Sequence, residues 1–277
     1  MKAFLKIEWK RLFRNPGLWV SLGIGLLLSI TQFFMIVCPS VKFLDAYMQK
    51  FAGLTMTMPH TVFTKWIGAE GYSVQRFTFF MILPLLCTIP WSLSAYQDKK
   101  SGLIKNYFVR GRKRDYYFAK YLVNFVSGGS VVVIPLLLNL ALAAAVLPSL
   151  KPEVATGFYA VRSTSMFAKL FYTHPYTYTF VYLLIIFVFC GLISCFASSA
   201  GLWLDNGFTV ILLPFVLHLF LYSVCSSSEV NKFAPFYFLN PAQDGDSISF
   251  WIILMEACIL LAASLCTLRR GIKSETL

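Results

Sequence analysis

Charge is scarce in this chain. Asp, Glu, Lys and Arg supply 13% of its 277 residues, whereas hydrophobic residues supply 58%. A water-soluble domain of this length exposes far more charge, so the balance leaves no room for a separate soluble domain. Acid is scarcer still: 12 Asp and Glu stand against 24 Lys and Arg, a formal net charge of +12. The three histidines, His60, His174 and His218, lie far apart. Seven cysteines (Cys38, Cys87, Cys190, Cys195, Cys225, Cys258 and Cys266) are irregularly spaced, without a Cys-x-x-Cys or Cys/His pattern. That excludes a zinc or redox framework and leaves small buried hydrophobes, with Cys38–Cys225 as one conceivable disulfide.

Catalytic signatures are missing as well. The sequence has no Glu-Glu-x-x-x-Arg, His-Glu-x-x-His or Gly-x-Ser-x-Gly. It also lacks the Gly-x-x-x-x-Gly-Lys-Ser/Thr phosphate loop, so any ATP used by this protein has to be bound by another chain. No metal or cofactor site is expected within the chain itself.

What is present is a repeated series of apolar runs. A helix needs about 20 residues to cross a hydrocarbon core of about 30 Å. Six stretches qualify: 17–38, 77–97, 116–147, 176–203, 208–226 and 248–268. The reading is an all-α integral membrane protein, with residues 1–277 forming one transmembrane domain. The N-terminus imitates a secretion signal, but the run Gly17–Val37 is too long and has no small-residue exit. It reads as a retained first span. Residues 1–16 read as an interfacial helix with Leu5, Trp9, Leu12 and Phe13 on its apolar stripe. In the third span, Gly128-Gly129 and Pro135 predict close packing, a kink or a tilt. Trp19, Trp91, Trp203 and Trp251 fall near span ends, as interfacial belts require.

The basic residues fix an orientation. Five lie in the N-terminal segment, eight in 98–120 and three in the C-terminal tail; the opposite loops hold four, three and one. The 16-to-8 split places both termini in the cytoplasm, which needs an even number of spans. Positive-inside charge and anionic headgroups account for the basic excess, and nucleic acid is not an expected partner. Between spans, 41–54 and 161–172 show helical spacing, and Phe233–Pro241 is apolar but broken by prolines.

The densest polar signal is the loop 98–115 between spans two and three. Leu103, Ile104, Tyr107 and Phe108 recur at i, i+1, i+4 and i+5, one apolar edge of a helix too short to cross a membrane. Lys100, Lys105 and Arg110 surround it. Such a helix lies on lipid or inserts into a groove of another protein. This stretch resembles the coupling-helix region of the type-2 permeases of ATP-binding-cassette exporters. Asp98, Lys99, Ser101-Gly102, Leu103-Ile104-Lys105-Asn106, Gly111, Arg114 and Lys120 follow that family's pattern in order; Leu103 replaces its usual Thr, and Lys113 a frequent Ser. The close match covers about 25 residues, and the arrangement of spans extends the likeness over nearly the whole chain.

The resemblance implies a half-transporter in a bacterial plasma membrane. A second permease copy or paralogue pairs with it, and a cytoplasmic ATPase subunit binds ATP and Mg. Asp98, Gly102, Leu103, Ile104, Tyr107, Phe108, Arg110 and Arg114 are the expected coupling residues. The cargo is an amphipathic or lipophilic molecule, best matched by an antimicrobial or toxic peptide, or a drug. Asn124, Asn139, His218 and Glu256 are intramembrane polar residues, candidates for a translocation path or for helix packing. Glu256 also supports a rival reading as the coupling carboxylate of an ion-driven carrier. A membrane enzyme or lipid-binding scaffold is the third reading, without a catalytic set to carry it.

Overall fold

The structure is a computed structural model and describes residues 1–50, 60–110, 112–243 and 248–273. Among the described residues there are helices and no strands. In chain order they are α1 (Lys2–Arg14), α2 (Pro16–Gln32), α3 (Cys38–Lys50), α4 (Val62–Lys65), α5 (Val74–Thr88), α6 (Ser94–Lys100), α7 (Leu103–Arg110), α8 (Lys113–Val146), α9 (Ala168–Thr173), α10 (Pro175–Ala200), α11 (Gly207–Ser227), α12 (Pro235–Phe238) and α13 (Phe250–Lys273).

Among the described residues, five helical stretches are long and apolar enough to cross a membrane: Pro16–Lys50, Lys113–Val146, Pro175–Ala200, Gly207–Ser227 and Phe250–Arg269. The first joins α2 and α3 through a single π turn, Phe33–Val37. That wider turn falls just before Pro39, which has no N–H for the helix ladder and crowds the carbonyl four residues back. The helical spacing at 41–54 therefore belongs, over its described part, to the end of this long helix and not to a separate one.

The stretch 77–97 does not form the single span expected from its hydropathy. Helix α5 is capped by Ser73, whose hydroxyl accepts the Arg76 N–H, and runs from Val74 to Thr88. A turn at residues 89–93 holds Pro90 and hands over to α6. Fifteen residues at 1.5 Å each give α5 a length of about 22 Å, short of the hydrocarbon thickness.

The bundle centres on α8 and α10, which make the most extensive helix pair. Small residues set how closely they approach. A Cβ on Gly128 would lie 2.6 Å from the Ser194 Cβ, and one on Gly191 would lie 2.6 Å from the Phe125 ring. The glycine pair thus serves close packing, and α8 runs on through Pro135 to Val146 as one helix.

Helices α2, α8 and α11 run away from the end that carries α1, α6 and α7, while α5, α10 and α13 return to it. The far end is closed by buried connections. Val62, Phe63, Trp66 and Ile67 are all almost fully enclosed. The proline-broken segment forms α12, with Phe236, Phe238 and Leu239 buried, so protein covers its free backbone groups. Helical order in 161–172 begins only at Ala168.

Candidate functional site

Helix α1 lies across the charged end, and its sequence stripe was only part of what it buries. Leu12 is enclosed and Leu5 and Trp9 pack beside it, but Phe13 faces out. The residue at the centre of the buried face is Glu8, 1% exposed. One turn on, Asn15 caps α2 by accepting the Gly17 N–H at 3.0 Å and donates to the Pro90 carbonyl at 2.8 Å. This fixes α1 against the turn that follows α5.

Four charges meet beneath α1. Arg11 reaches both oxygens of Asp98, with Nη2–Oδ1 at 2.6 Å and Nη1–Oδ2 at 3.1 Å. It also bonds Glu8 at 3.0 Å. Lys120 Nζ sits 2.6 Å from Asp98 Oδ2 and 3.0 Å from Glu8 Oε2. The Tyr116 hydroxyl donates to Asp98 Oδ2 at 2.8 Å. Trp91 forms one wall: the Arg11 guanidinium lies 5.6 Å and the Lys120 ammonium 5.5 Å from its ring centroid. Trp91 is therefore an internal residue and not part of an interfacial belt, whereas Trp19, Trp203 and Trp251 are exposed.

Two acids and two bases make the cluster neutral. Asp98 is 0% exposed and Lys120 1%, so each depends on the opposite charges around it to stay charged. Burial is the largest single influence on Asp98 and raises its pKa. The Arg11 hydrogen bond and the Lys120 charge together outweigh it and hold the carboxyl below the usual carboxylate range. The Arg11 guanidinium is held in its charged form chiefly by the hydrogen bond to Asp98. The cluster joins α1, α6 and α8, none of which directly follows another in the chain.

Helix α7 follows directly. Gly102, at φ +72°, turns the chain from α6 into α7 in a backbone conformation that glycine adopts without strain. The apolar edge read from sequence is largely committed to this chain. Ile104 is 2% exposed, and Tyr107 and Phe108 pack on Tyr116 and Tyr117. Leu103 does face outward, with Val109 (87% exposed), Lys105 and Asn106. Asp98, expected at the coupling surface, lies inside the charge cluster, and Arg114 is exposed. The Arg110 side chain and Gly111 lie outside the described residues. An open groove of ≈ 920 Å³ runs between α1 and α7, with Phe4 and Ile7 on one side and Leu103, Asn106 and Val109 on the other.

The polar residues of the long apolar helices separate into different surroundings. Asn124 Nδ2 donates to the Ser194 carbonyl at 2.7 Å and its Oδ1 accepts the Ser194 hydroxyl at 2.8 Å, while Ser92 bonds the same Ser194 at 3.1 Å. Asn139 accepts the Ile67 N–H at 2.8 Å and donates to Ser29 and Gln32, and Gln32 donates to the Lys65 carbonyl at 2.7 Å. Both asparagines are structural ties: one at the α8–α10 crossing, the other pinning 62–67 into the bundle. His218 is buried on α11, away from the charge cluster, with no hydrogen-bond partner for Nε2. Glu256 is half-buried on α13. These four do not converge. All seven cysteines are free, so Cys38 and Cys225 form no disulfide, and among the described residues no group of acids, histidines or cysteines is placed to hold a metal.

Glu8, Arg11, Trp91 and Tyr116 complete the charge cluster and were not singled out as site residues from the sequence. The available signal was Glu8, the one acid among the five bases of residues 1–14, one helical turn before Arg11. No family model matches the chain, and no curated protein or solved structure matches it.

Proposed function

We propose that this chain is the membrane subunit of an ATP-driven exporter in a bacterial plasma membrane, with a separate ATPase docking on α7. The observation that carries this reading is that α7 is an eight-residue helix with two different faces. One face is locked to α8 through Ile104, Tyr107 and Phe108; the other presents Leu103, Asn106 and Val109 along an open groove. A push on the free face reaches α8 directly and reaches α1 through the Asp98 cluster, so the helix moves with the bundle as one body.

The remaining parts of the proposal follow from this. The charged end is cytoplasmic, α5 with its following turn completes a sixth crossing, and both termini share the ATPase side. ATP and Mg belong to the ATPase subunit. Helix α13 and the α2–α3 stretch bury only 11% and 28% of their apolar windows, leaving surface for lipid and for a second permease copy or paralogue. The cargo is an amphipathic or lipophilic molecule such as a toxic peptide or drug.

Affinity purification from the native membrane in mild detergent tests the reading. A stoichiometric ATPase is expected, retained by the wild type and lost from Val109→Asp and Leu103→Asp, both at exposed positions. A chain that purifies without an ATPase and still moves solute, with transport abolished in Glu256→Gln, would replace this proposal with the ion-coupled carrier.

A further inference from the structure

Arg11 and Lys120 are held by the acids of the Asp98 cluster. In an aromatic cavity of ≈ 830 Å³ at the far end, lined in part by Phe77, Tyr222 and Phe236, Lys65 pairs with Glu70 at 3.3 Å and Arg76 donates to the Gly71 carbonyl. The outer face of α1 is different. Lys2, Lys6, Lys10 and Arg14 recur every four residues, so they follow one side of the helix over about 18 Å. All four are exposed, and among the described residues none of them forms an ion pair. The one acid of α1, Glu8, is buried on the opposite side and is already shared by Arg11 and Lys120. Like charges four residues apart repel and weaken a helix, so the ladder calls for an anion from outside the chain.

Aromatic rings stand beside the ladder. Phe13 is 56% exposed and stacks on Trp9 at 5.9 Å. Trp19, in the first turn of α2, is 58% exposed, and its indole donates to the Phe13 carbonyl at 3.0 Å. This puts the ladder where the first apolar stretch begins. Cationic side chains with aromatic rings are the combination that seats a helix at the headgroup level of a bilayer. A soluble acidic partner would match the charges and leave Phe13 and Trp19 uncovered. A neutral lipid would cover the rings and leave the charges unpaired. We infer that the outer face of α1 binds anionic phospholipid, with phosphates along Lys2, Lys6, Lys10 and Arg14 and the acyl side against Phe13 and Trp19. The lipid then holds α1 from outside, while Glu8 and Arg11 hold it to α6 and α8 from within. Neither contact uses the free face of α7, so the inference stands apart from ATPase docking.

The test is titration of the purified full chain in a neutral detergent with phosphatidylglycerol and, separately, with phosphatidylcholine of the same acyl chains, counting bound lipid by native mass spectrometry. The first phosphatidylglycerol is expected to bind more tightly than the first phosphatidylcholine, and raising the salt concentration should shrink that preference. Lys6→Gln and Lys10→Gln should each reduce the preference about threefold, and the two together about tenfold. Lys169→Gln, exposed on α9 at the far end, should keep it. Phe13→Ala should weaken both lipids alike and leave the preference unchanged. Both lysines are exposed, so the double variant should elute as the wild type does in size-exclusion chromatography, which checks that it folds. Equal binding of the two lipids by the wild type would overturn the inference. So would an undiminished preference in the double variant; an acidic protein that copurifies with the wild type and is lost from that variant would then take the lipid's place.

Discussion

Asp98 is a buried carboxylate at which two cations meet. Its place at the head of a basic loop suggests contact with a partner. It is fully enclosed instead, and its two oxygens collect Arg11, Lys120 and Tyr116. Asp98→Asn leaves an excess positive charge in the cluster and should destabilise the protein by about 3 kcal/mol, the low end for a broken buried pair, because Arg11 is partly solvated and keeps Glu8. A neutral double variant, Asp98→Asn with Lys120→Met, should cost less than the sum of its single changes by more than about 1 kcal/mol. Thermal unfolding in detergent, followed by scanning fluorimetry, measures both. The sign of the pH effect follows from the carboxyl being held low. An ordinary unfolded Asp titrates near about 3.9, so the contribution of Asp98 is fully present above that pH and is lost as pH falls through its lower folded value. The unfolding temperature of the wild type should drop on the acid side, and the Asp98→Asn profile should be flatter there. A wild-type acid limb identical to that of the variant would remove Asp98 from the account.

At the scale of elements, two glycine positions decide how helices meet. Gly102 sits at φ +72° with no neighbouring atom within 4 Å of an added Cβ, so the constraint is conformational and not steric. Gly102→Ala should cost about 1 kcal/mol and leave the fold intact. Gly102→Pro cannot adopt a positive φ, so the chain should leave α6 along another path and re-aim α7. In the exporter reading, ATP hydrolysis then continues without transport in a membrane-inserted complex, and normal transport by Gly102→Pro would remove that turn from the coupling path. Gly128 is the opposite case, a steric one. Gly128→Val places a branched side chain where Ser194 already lies and should cost at least about 1–3 kcal/mol, read as a broadened or aggregated peak in size-exclusion chromatography. The periodicity of α7 was legible in the sequence, and so was a role for the glycine pair in close packing. Which edge of α7 stays free was not, because Tyr116 and Tyr117, which cover the other edge, belong to a different helix.

For the whole molecule, the alternating helix directions put α1, α6, α7 and the end of α13 together. In the exporter reading, the positive-inside count puts that end in the cytoplasm. Single cysteines introduced in a background lacking the native ones test this in intact cells. Lys105→Cys should resist a membrane-impermeant maleimide until the cells are opened, whereas Lys151→Cys should react at once. The opposite pattern would invert the topology and, with it, the site of ATPase docking. The same layout explains why sequence hydropathy overstated the second span. Composition alone does not separate a 15-residue helix followed by a turn from one continuous crossing, since Ile89, Trp91 and Leu93 are apolar in either arrangement.

The sequence by itself determined the helical character of the described residues, the presence of helices long and apolar enough to cross a membrane, the limits of four of those five helices to within a few residues, and the presence of a short amphipathic helix after Gly102. Those properties depend on local composition and periodicity, which are fully present in the order of residues. Only the tertiary structure decided that Glu8 and Arg11 meet Asp98 and Lys120, residues about 90 to 110 positions further along the chain. It also decided that Asn124 bonds Ser194 and that Asn139 bonds Ser29, Gln32 and Ile67, and that cations from two separate segments share an aromatic cavity at the far end. A buried charge is tolerable only beside its partner, and which partner that is depends on how helices pack, a long-range property that no local pattern encodes.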